Sequence, residues 1–198
     1  MLNMEATVQK ILDNYDELSE KEEKIAIMQI RKFAENESEN FKKFLYGLER
    51  TDYGVLINAL SEDVEKWNNF FIEEIKRIFS EAENSENPAA SIMFLDEFAF
   101  VELDKFTYPE NLINFLKNYL KHKLPAFRYW ALSLITDYVK ISDRMTINTL
   151  EQLQKDPDWR IRYWTYIYLE NINGKNTKYK LSLIDKIRAK LQPPYVFY

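Results

Sequence analysis

A tripeptide that occurs twice constrains the fold of this chain more than any other feature. Arg-Tyr-Trp occupies positions 128–130 and again 162–164, an offset of 34 residues. At the same offset the apolar residues around the two copies align at i, i+3, i+4, i+7, i+8 and i+11, the spacing of one helix face. Each copy also follows another amphipathic segment. The repeating unit is therefore predicted to be a helical hairpin of about 34–37 residues, and such hairpins bury their apolar faces by stacking.

Helical spacing of apolar residues extends over nearly the whole chain, and strand-like alternation is nearly absent. Three glycines and six prolines leave few places for tight turns, which favours long helices. Ser19 with Glu22 has the spacing of a capping box, and Ser61 with the carboxylates that follow it is predicted to accept the first N–H groups of the next helix. The pattern predicts an all-α protein with helices near 4–15, 20–35, 38–50, 51–61, 62–82, 88–103, 109–121, 126–140, 144–155, 159–172 and 178–191.

The residues around the second copy carry a family pattern. Leucines at 150 and 153 precede an Asp-rich turn at 156–158, then Ile-Arg at 161–162, a small residue at 165 and a leucine at 169. This arrangement resembles HEAT repeats, including the phycobilisome-lyase-type variety. The first copy keeps the Arg, the small residue and the aliphatic, but has Lys-Leu-Pro in place of the acidic turn. The resemblance covers residues 88–191 and implies an α-α superhelix, a solenoid of stacked helical hairpins, after an N-terminal helical region.

Charge is divided unevenly along the chain. Residues 1–104 carry a net charge of −13 and residues 105–198 a net charge of +8. Such asymmetry indicates either a basic binding face or two regions that attract each other. The stretch 83–88 is the best internal linker, which separates an acidic helical region, 1–87, from a repeat region with a C-terminal tail, 88–198. The two regions are expected to form one continuous domain.

The repeated polar residues have predicted structural roles. Asp156 or Asp158 is expected to cap the following helix, and Arg128 and Arg162 are expected to bridge to turns and carbonyls of the neighbouring hairpin. The tail from Pro193 is expected to dock over the last hairpin, because terminal repeats need their outer face covered. The alternative is a peptide that inserts into a partner.

The repeated aromatic residues divide into two kinds. Trp130 and Trp164 lie on the apolar stripe and are predicted to be core. Tyr129 and Tyr163 fall off that stripe, which makes them candidates for an exposed, repeated contact with a partner.

Several kinds of chemistry have no supporting motif in the sequence. The chain has no cysteine and no Gly-rich phosphate loop. Its single histidine, His122, lies among lysines and is predicted to be a solvated surface residue. The adjacent acids Glu73-Glu74 and Asp96-Glu97 are predicted to lie on solvated faces. No catalytic residue, metal ligand or small-molecule cofactor is expected.

A noncatalytic protein-protein interaction module, such as a scaffold, adaptor or immunity-type binder, is the leading functional hypothesis. Its expected partner is another protein, and no contact with a membrane is expected. The N-terminal sequence lacks the features of a signal peptide, so a cytoplasmic location is expected. The predicted partner-binding residues are Tyr129, Tyr163, Glu35, Glu37, Glu39, Glu62, Asp63 and Glu65.

The alternative hypothesis is a nucleic-acid binder that uses the basic C-terminal half. Some HEAT-like proteins are DNA alkylation-repair glycosylases, and an enzyme of that type ranks third, because no matching catalytic Asp and Trp pattern is found. The predicted nucleic-acid-binding residues are Lys121, Lys123, Arg128, Arg160, Lys175 and Lys178.

Overall fold

The computed structural model describes residues 3–98, 101–102, 105–106, 110–138, 144–173 and 179–194. Every regular element within these ranges is a helix, which confirms the all-α prediction. No helix in the described part of the chain combines the length and apolar character needed to cross a membrane.

The helices follow one another with short connections. In chain order they are α1 Met4–Leu12, a 3₁₀ turn Tyr15–Glu17, α2 Glu20–Asn36, α3 Ser38–Tyr46, α4 Arg50–Ser61, α5 Val64–Asn84, α6 Pro88–Ser91, a 3₁₀ helix Ile92–Phe98, α7 Glu110–Tyr119, α8 Pro125–Tyr138, α9 Arg144–Leu153, α10 Trp159–Asn173 and α11 Leu183–Leu191.

The predicted helix bounds differ most from the structure in three places. The predicted helix 88–103 is a four-residue α-helix that tightens into a 3₁₀ helix ending at Phe98. The predicted helix 38–50 ends at Tyr46, because Gly47 follows as the C-cap residue. The last helix begins at Leu183, because the Ser182 hydroxyl accepts the Asp185 N–H at 3.0 Å and so caps the first turn.

Two helix starts test the predicted caps. The capping box of α2 is confirmed, and the Ser19 N–H donates to the Glu22 carboxylate at 3.0 Å. The cap predicted at Ser61 and the carboxylates after it is confirmed for Asp63 and wrong for Ser61. The Asp63 carboxylate accepts the Lys66 N–H at 3.3 Å in the first turn of α5, whereas the Ser61 hydroxyl donates to the Asn58 carbonyl within α4.

The chain divides into two compact units. The first unit comprises Met1–Phe71 and Phe94–Phe106, and the second comprises Ile72–Met93 and Thr107–Tyr198. Residues 83–88, the predicted linker, lie inside the second unit, so the division does not coincide with that stretch.

The first unit is built around α2, which packs against α1, α3 and α4. Ile30 and Phe33 of α2 are completely buried, as are Leu56 and Ile57 of α4. The Phe33 ring meets the Phe41 ring edge to face, with centroids 5.6 Å apart. Burial of these apolar side chains supplies the main stabilisation of the unit.

The second unit contains consecutive pairs of packed helices. α7 packs on α8, α9 packs on α10, and α10 also contacts α8 and α11. The predicted apolar stripe is buried along α8 and α10, as expected for helices covered by neighbours. Its buried members are Phe127, Ala131, Leu134, Ile135, Ile161, Thr165 and Leu169.

Candidate functional site

Arg128 of α8 donates four hydrogen bonds. Its Nε and Nη2 atoms each donate to one oxygen of the Asp156 carboxylate at 2.8 Å. Its Nη1 atom donates to the carbonyls of His122 and Lys123, at 2.7 and 3.1 Å, in the turn before α8. Arg128 is 7% exposed, so this is a buried, bidentate ion pair.

Arg162 of α10 repeats the same set of bonds 34 residues later. Its Nε and Nη2 atoms donate to the two oxygens of Asp185 at 2.8 Å. Its Nη1 atom donates to the carbonyls of Asp156 and Pro157, at 2.6 and 3.1 Å, in the turn before α10. We call each set, one arginine with its carboxylate and two carbonyls, an arginine bracket.

The two brackets share one residue. Asp156 accepts Arg128 through its carboxylate and Arg162 through its carbonyl, and its Oδ1 atom also accepts the Asp158 N–H at 2.8 Å. The prediction that both arginines bridge to the neighbouring hairpin is confirmed for the carboxylates, Asp156 in the turn before α10 and Asp185 on α11. It is wrong for the carbonyls, which belong to the turn of the arginine's own helix pair. Consecutive turns are thus held in one arrangement.

The brackets and the neighbouring turn also affect titration. Hydrogen bonds from Arg162 lower the pKa of Asp185 below its ordinary value, although burial opposes them. Burial raises the pKa of Asp158, but hydrogen bonds from Arg160 outweigh it, and the net pKa is lowered. A carboxylate with a lowered folded-state pKa stabilises the fold above its ordinary pKa, and that stability is lost as the pH falls through the lowered value.

The helices joined by the brackets carry a continuous row of aromatic rings. The Trp130 and Tyr129 centroids lie 5.2 Å apart, Tyr129 and Trp164 5.8 Å, and Trp164 and Tyr163 5.7 Å. We call these four residues the aromatic row. Each indole contacts the tyrosine that precedes it at a steep interplanar angle, 67° for Trp130 and 82° for Trp164.

Exposure within the aromatic row differs from the prediction. Trp130 and Trp164 are half-buried, so the prediction that both are core residues is wrong. They lie at the edge of the apolar stripe, where a large ring extends beyond the neighbouring helix. Tyr129 and Tyr163, the predicted partner-binding tyrosines, are half-buried as well. The Trp164 Nε1–H donates to the Pro194 carbonyl at 3.2 Å, so the start of the tail borders the row, while residues 195–198 lie outside the described part.

The predicted acidic partner-binding residues lie in the first unit, and most take part in local contacts. Glu35 pairs with Lys66, and Glu62 pairs with Arg31 at 2.6 Å. Glu37 accepts the Asn40 side-chain amide at 3.1 Å, and Asp63 caps α5. Glu39, whose side chain is 80% exposed, lies 3.8 Å from Lys42, and Glu65 is exposed. Surface ion pairs of this kind contribute about 0–1 kcal/mol each, so these acids retain most of their affinity for outside cations.

The predicted nucleic-acid-binding residues are not equivalent in the structure. Lys121 and Lys123 are exposed. Arg128 is enclosed in its bracket, so its assignment as a nucleic-acid contact is wrong, because a buried guanidinium cannot reach a phosphate. Arg160 pairs with Asp158 at 2.6 Å. Lys175 and Lys178 lie outside the described residues.

Two further expectations about titratable residues fail. His122 is packed against the Phe127 ring at 4.3 Å, and its Nε2 atom lies 3.5 Å from Glu83, so it is not a solvated surface histidine. Glu74 is 2% exposed, and its carboxylate accepts Arg77 Nε at 3.0 Å. In both cases the prediction of a solvated face relied on charged neighbours in the sequence.

Asp185 is the functional residue that sequence reasoning missed. It is the one acid on α11, an otherwise basic and apolar helix, and it is buried against Arg162. The repeat offset did not identify it, because the residue 34 positions after Asp156 is Lys190, and Arg162 pairs instead with a carboxylate within α11.

Thr165 lies where the first repeat has Ala131, and its hydroxyl is completely buried with no hydrogen-bond partner among the described residues. We expect Thr165→Val to raise the free energy of unfolding by about 1 kcal/mol, because it removes an unpaired polar atom at nearly constant shape. Urea titration measures the change. Thr136→Val is the matched control, since the Thr136 hydroxyl donates to the Ser133 carbonyl at 2.7 Å, and that variant should be neutral or less stable. A loss of stability in Thr165→Val would contradict the assignment.

Comparison of the chain with protein families, curated proteins and solved structures finds no match. In the described residues, no cluster of three or more His, Asp or Glu side chains could hold a metal ion.

Proposed function

We propose that this chain is a noncatalytic protein-binding module of the HEAT-like helical-repeat type, and that its aromatic row contacts another protein. In this proposal the helix pairs α7–α8 and α9–α10 are successive repeats of a short solenoid. The observation that carries the proposal is the aromatic row itself, which places four half-buried rings on equivalent helices, α8 and α10, of two successive pairs.

The composition of the aromatic row favours a protein partner. Trp and Tyr are the residues that most often dominate the binding energy of protein interfaces, because they bury large areas at a low cost in side-chain entropy. The arginine brackets keep the two helices in a fixed arrangement, so the row is organised before a partner arrives. Such preorganisation reduces the entropy lost on binding.

A nucleic-acid-binding role has weaker support. Of the predicted cations that the structure describes, Arg128 is buried and Arg160 is paired, which leaves Lys121 and Lys123 exposed. Affinity for nucleic acid depends on the number of phosphates that cations neutralise, and the predicted set supplies Lys121 and Lys123.

Site-specific photo-crosslinking tests the proposal. p-Benzoylphenylalanine replaces Tyr129 or Tyr163, and the protein is irradiated in its native cells. We expect both positions to capture the same protein, identified by mass spectrometry. The matched control is Tyr46 of α3, a tyrosine that is 47% exposed and lies in the first unit. Capture of the same protein from position 46, or of no protein from any position, would contradict the proposal.

A further inference from the structure

The last described helix, α11, buries a different kind of residue from α7 and α9, the first helices of the preceding pairs. In α7 the leucines Leu112 and Leu116 are completely buried, and in α9 Leu150 and Leu153 are buried. In α11 the buried residue is instead a carboxylate, Asp185. An ion pair therefore holds α11 against α10, while its apolar side chains face outward.

Four apolar side chains of α11 form one exposed stripe. At 100° per residue they fall within one quarter to one third of the helix circumference. Each is at least half exposed, and Leu191 reaches 77%. We call this set the α11 stripe: Leu183, Ile184, Ile187 and Leu191. An exposed contiguous apolar surface of this kind marks an interaction site.

A groove runs beside the stripe, between α10 and α11. It has a volume of about 400 Å³, and its walls are formed by Tyr163 and Tyr166 of α10 with Leu183 and Ile187 of α11. A volume of this size accommodates a large apolar side chain from a partner. Tyr163 also ends the aromatic row, so the groove continues that surface.

Every exposed charge on α11 is positive. Lys186 and Lys190 flank the stripe on the groove side, and Arg188 flanks it on the other side. The one acid of the helix, Asp185, is engaged by Arg162 and lies inside. A partner that covers the stripe therefore meets cations along both margins, and complementary charge on the partner is favoured.

We infer that the α10–α11 groove and the α11 stripe bind an amphipathic helix of another protein, with acidic residues along the margins of its apolar face. This inference rests on the proposed protein-binding function and names the chemistry of the partner. A helix laid into a groove uses apolar anchors at i, i+3, i+4 and i+7, which matches the spacing of the stripe. Nucleic acid is a less suitable ligand, because the stripe presents aliphatic side chains to its bases. A lipid surface is less suitable because it is flat and would leave the groove unfilled.

The test uses the full-length protein and two labelled helical peptides. Both carry leucines at i, i+3, i+4 and i+7; one has glutamates and the other lysines at the flanking positions. Fluorescence anisotropy measures the affinity. We expect the glutamate peptide to bind at least about tenfold more tightly than the lysine peptide, and Ile187→Ser to weaken its binding about tenfold or more. The double variant Lys186→Glu with Lys190→Glu should reverse the preference between the peptides.

The matched control is Met28→Ser, which removes an apolar side chain that is 68% exposed in the first unit and should leave binding unchanged. Equal affinity for both peptides would overturn the inference. Four other occupants of the site would overturn it as well. A second copy is indicated if the chain self-associates and Ile187→Ser abolishes this, and the chain's own tail is indicated if removal of residues 195–198 is needed before the peptide binds. Lipid is indicated if anionic vesicles bind through the stripe, and nucleic acid if an oligonucleotide binds through it. If the peptide fails but crosslinking at position 129 succeeds, the proposed function stands and this inference falls.

Discussion

Replacement of Arg128 by methionine should lower the free energy of unfolding by about 3–5 kcal/mol, the cost typical of breaking a buried ion pair from one side. Asp156, which is 7% exposed in the fold, would lose the bidentate partner of its carboxylate. The carbonyls of His122 and Lys123 would lose a donor at the same time. Urea titration of each variant measures the effect.

Two further variants separate the ion pair from a general effect of losing an arginine. Arg188→Met is the matched control, because Arg188 is half exposed and lies 3.8 Å from Asp185, and it should change stability by less than about 1 kcal/mol. Arg128→Met combined with Asp156→Leu should recover part of the loss, since no unpaired charge remains buried. Equal losses in Arg128→Met and Arg188→Met would contradict the structural role assigned to the bracket.

Replacement of Phe79 by alanine should cost about 3–5 kcal/mol of unfolding free energy, because it leaves a cavity at the centre of the second unit. The Phe79 ring is completely buried. Its centroid lies 4.6 Å from that of Tyr119, 5.9 Å from Phe115 and 6.1 Å from Phe127, so several ring contacts would be lost together.

Phe115 provides the control for this cavity. It belongs to the same ring cluster but is half-buried, so Phe115→Ala leaves space that solvent can occupy and should cost less than half as much. Phe79→Leu should restore most of the loss, because it refills the greater part of the volume. A Phe79→Ala variant as stable as Phe115→Ala would show that the second unit is not centred on this ring.

Much of the helical architecture could be predicted from the sequence, because apolar periodicity and capping chemistry act locally. The capping box at Ser19 and the bounds of α8 to α10 follow from such local signals. The 3₁₀ geometry of Ile92–Phe98 could not be predicted in this way. The apolar spacing there suits either kind of helix, and tertiary packing decides between them.

The candidate surface was predictable only in part. The repeat identified Arg128 and Arg162 as structural and Tyr129 and Tyr163 as aromatic residues of interest. It did not predict that both tryptophans are half-buried, because a position at the edge of an apolar stripe is covered only as far as the neighbouring helix extends. The burial of Asp185 was missed for a related reason, since hydrophobic patterning assigns a lone acid to the solvent side of a helix.

The central claim, that the aromatic row binds protein, is tested most directly by isothermal titration calorimetry with the partner captured by crosslinking. The double variant Tyr129→Ser with Tyr163→Ser is compared with Tyr46→Ser, after circular dichroism has confirmed that both are folded. We predict a Kd at least about tenfold higher for the double variant and an unchanged Kd for Tyr46→Ser. An unchanged Kd in the double variant would contradict the claim.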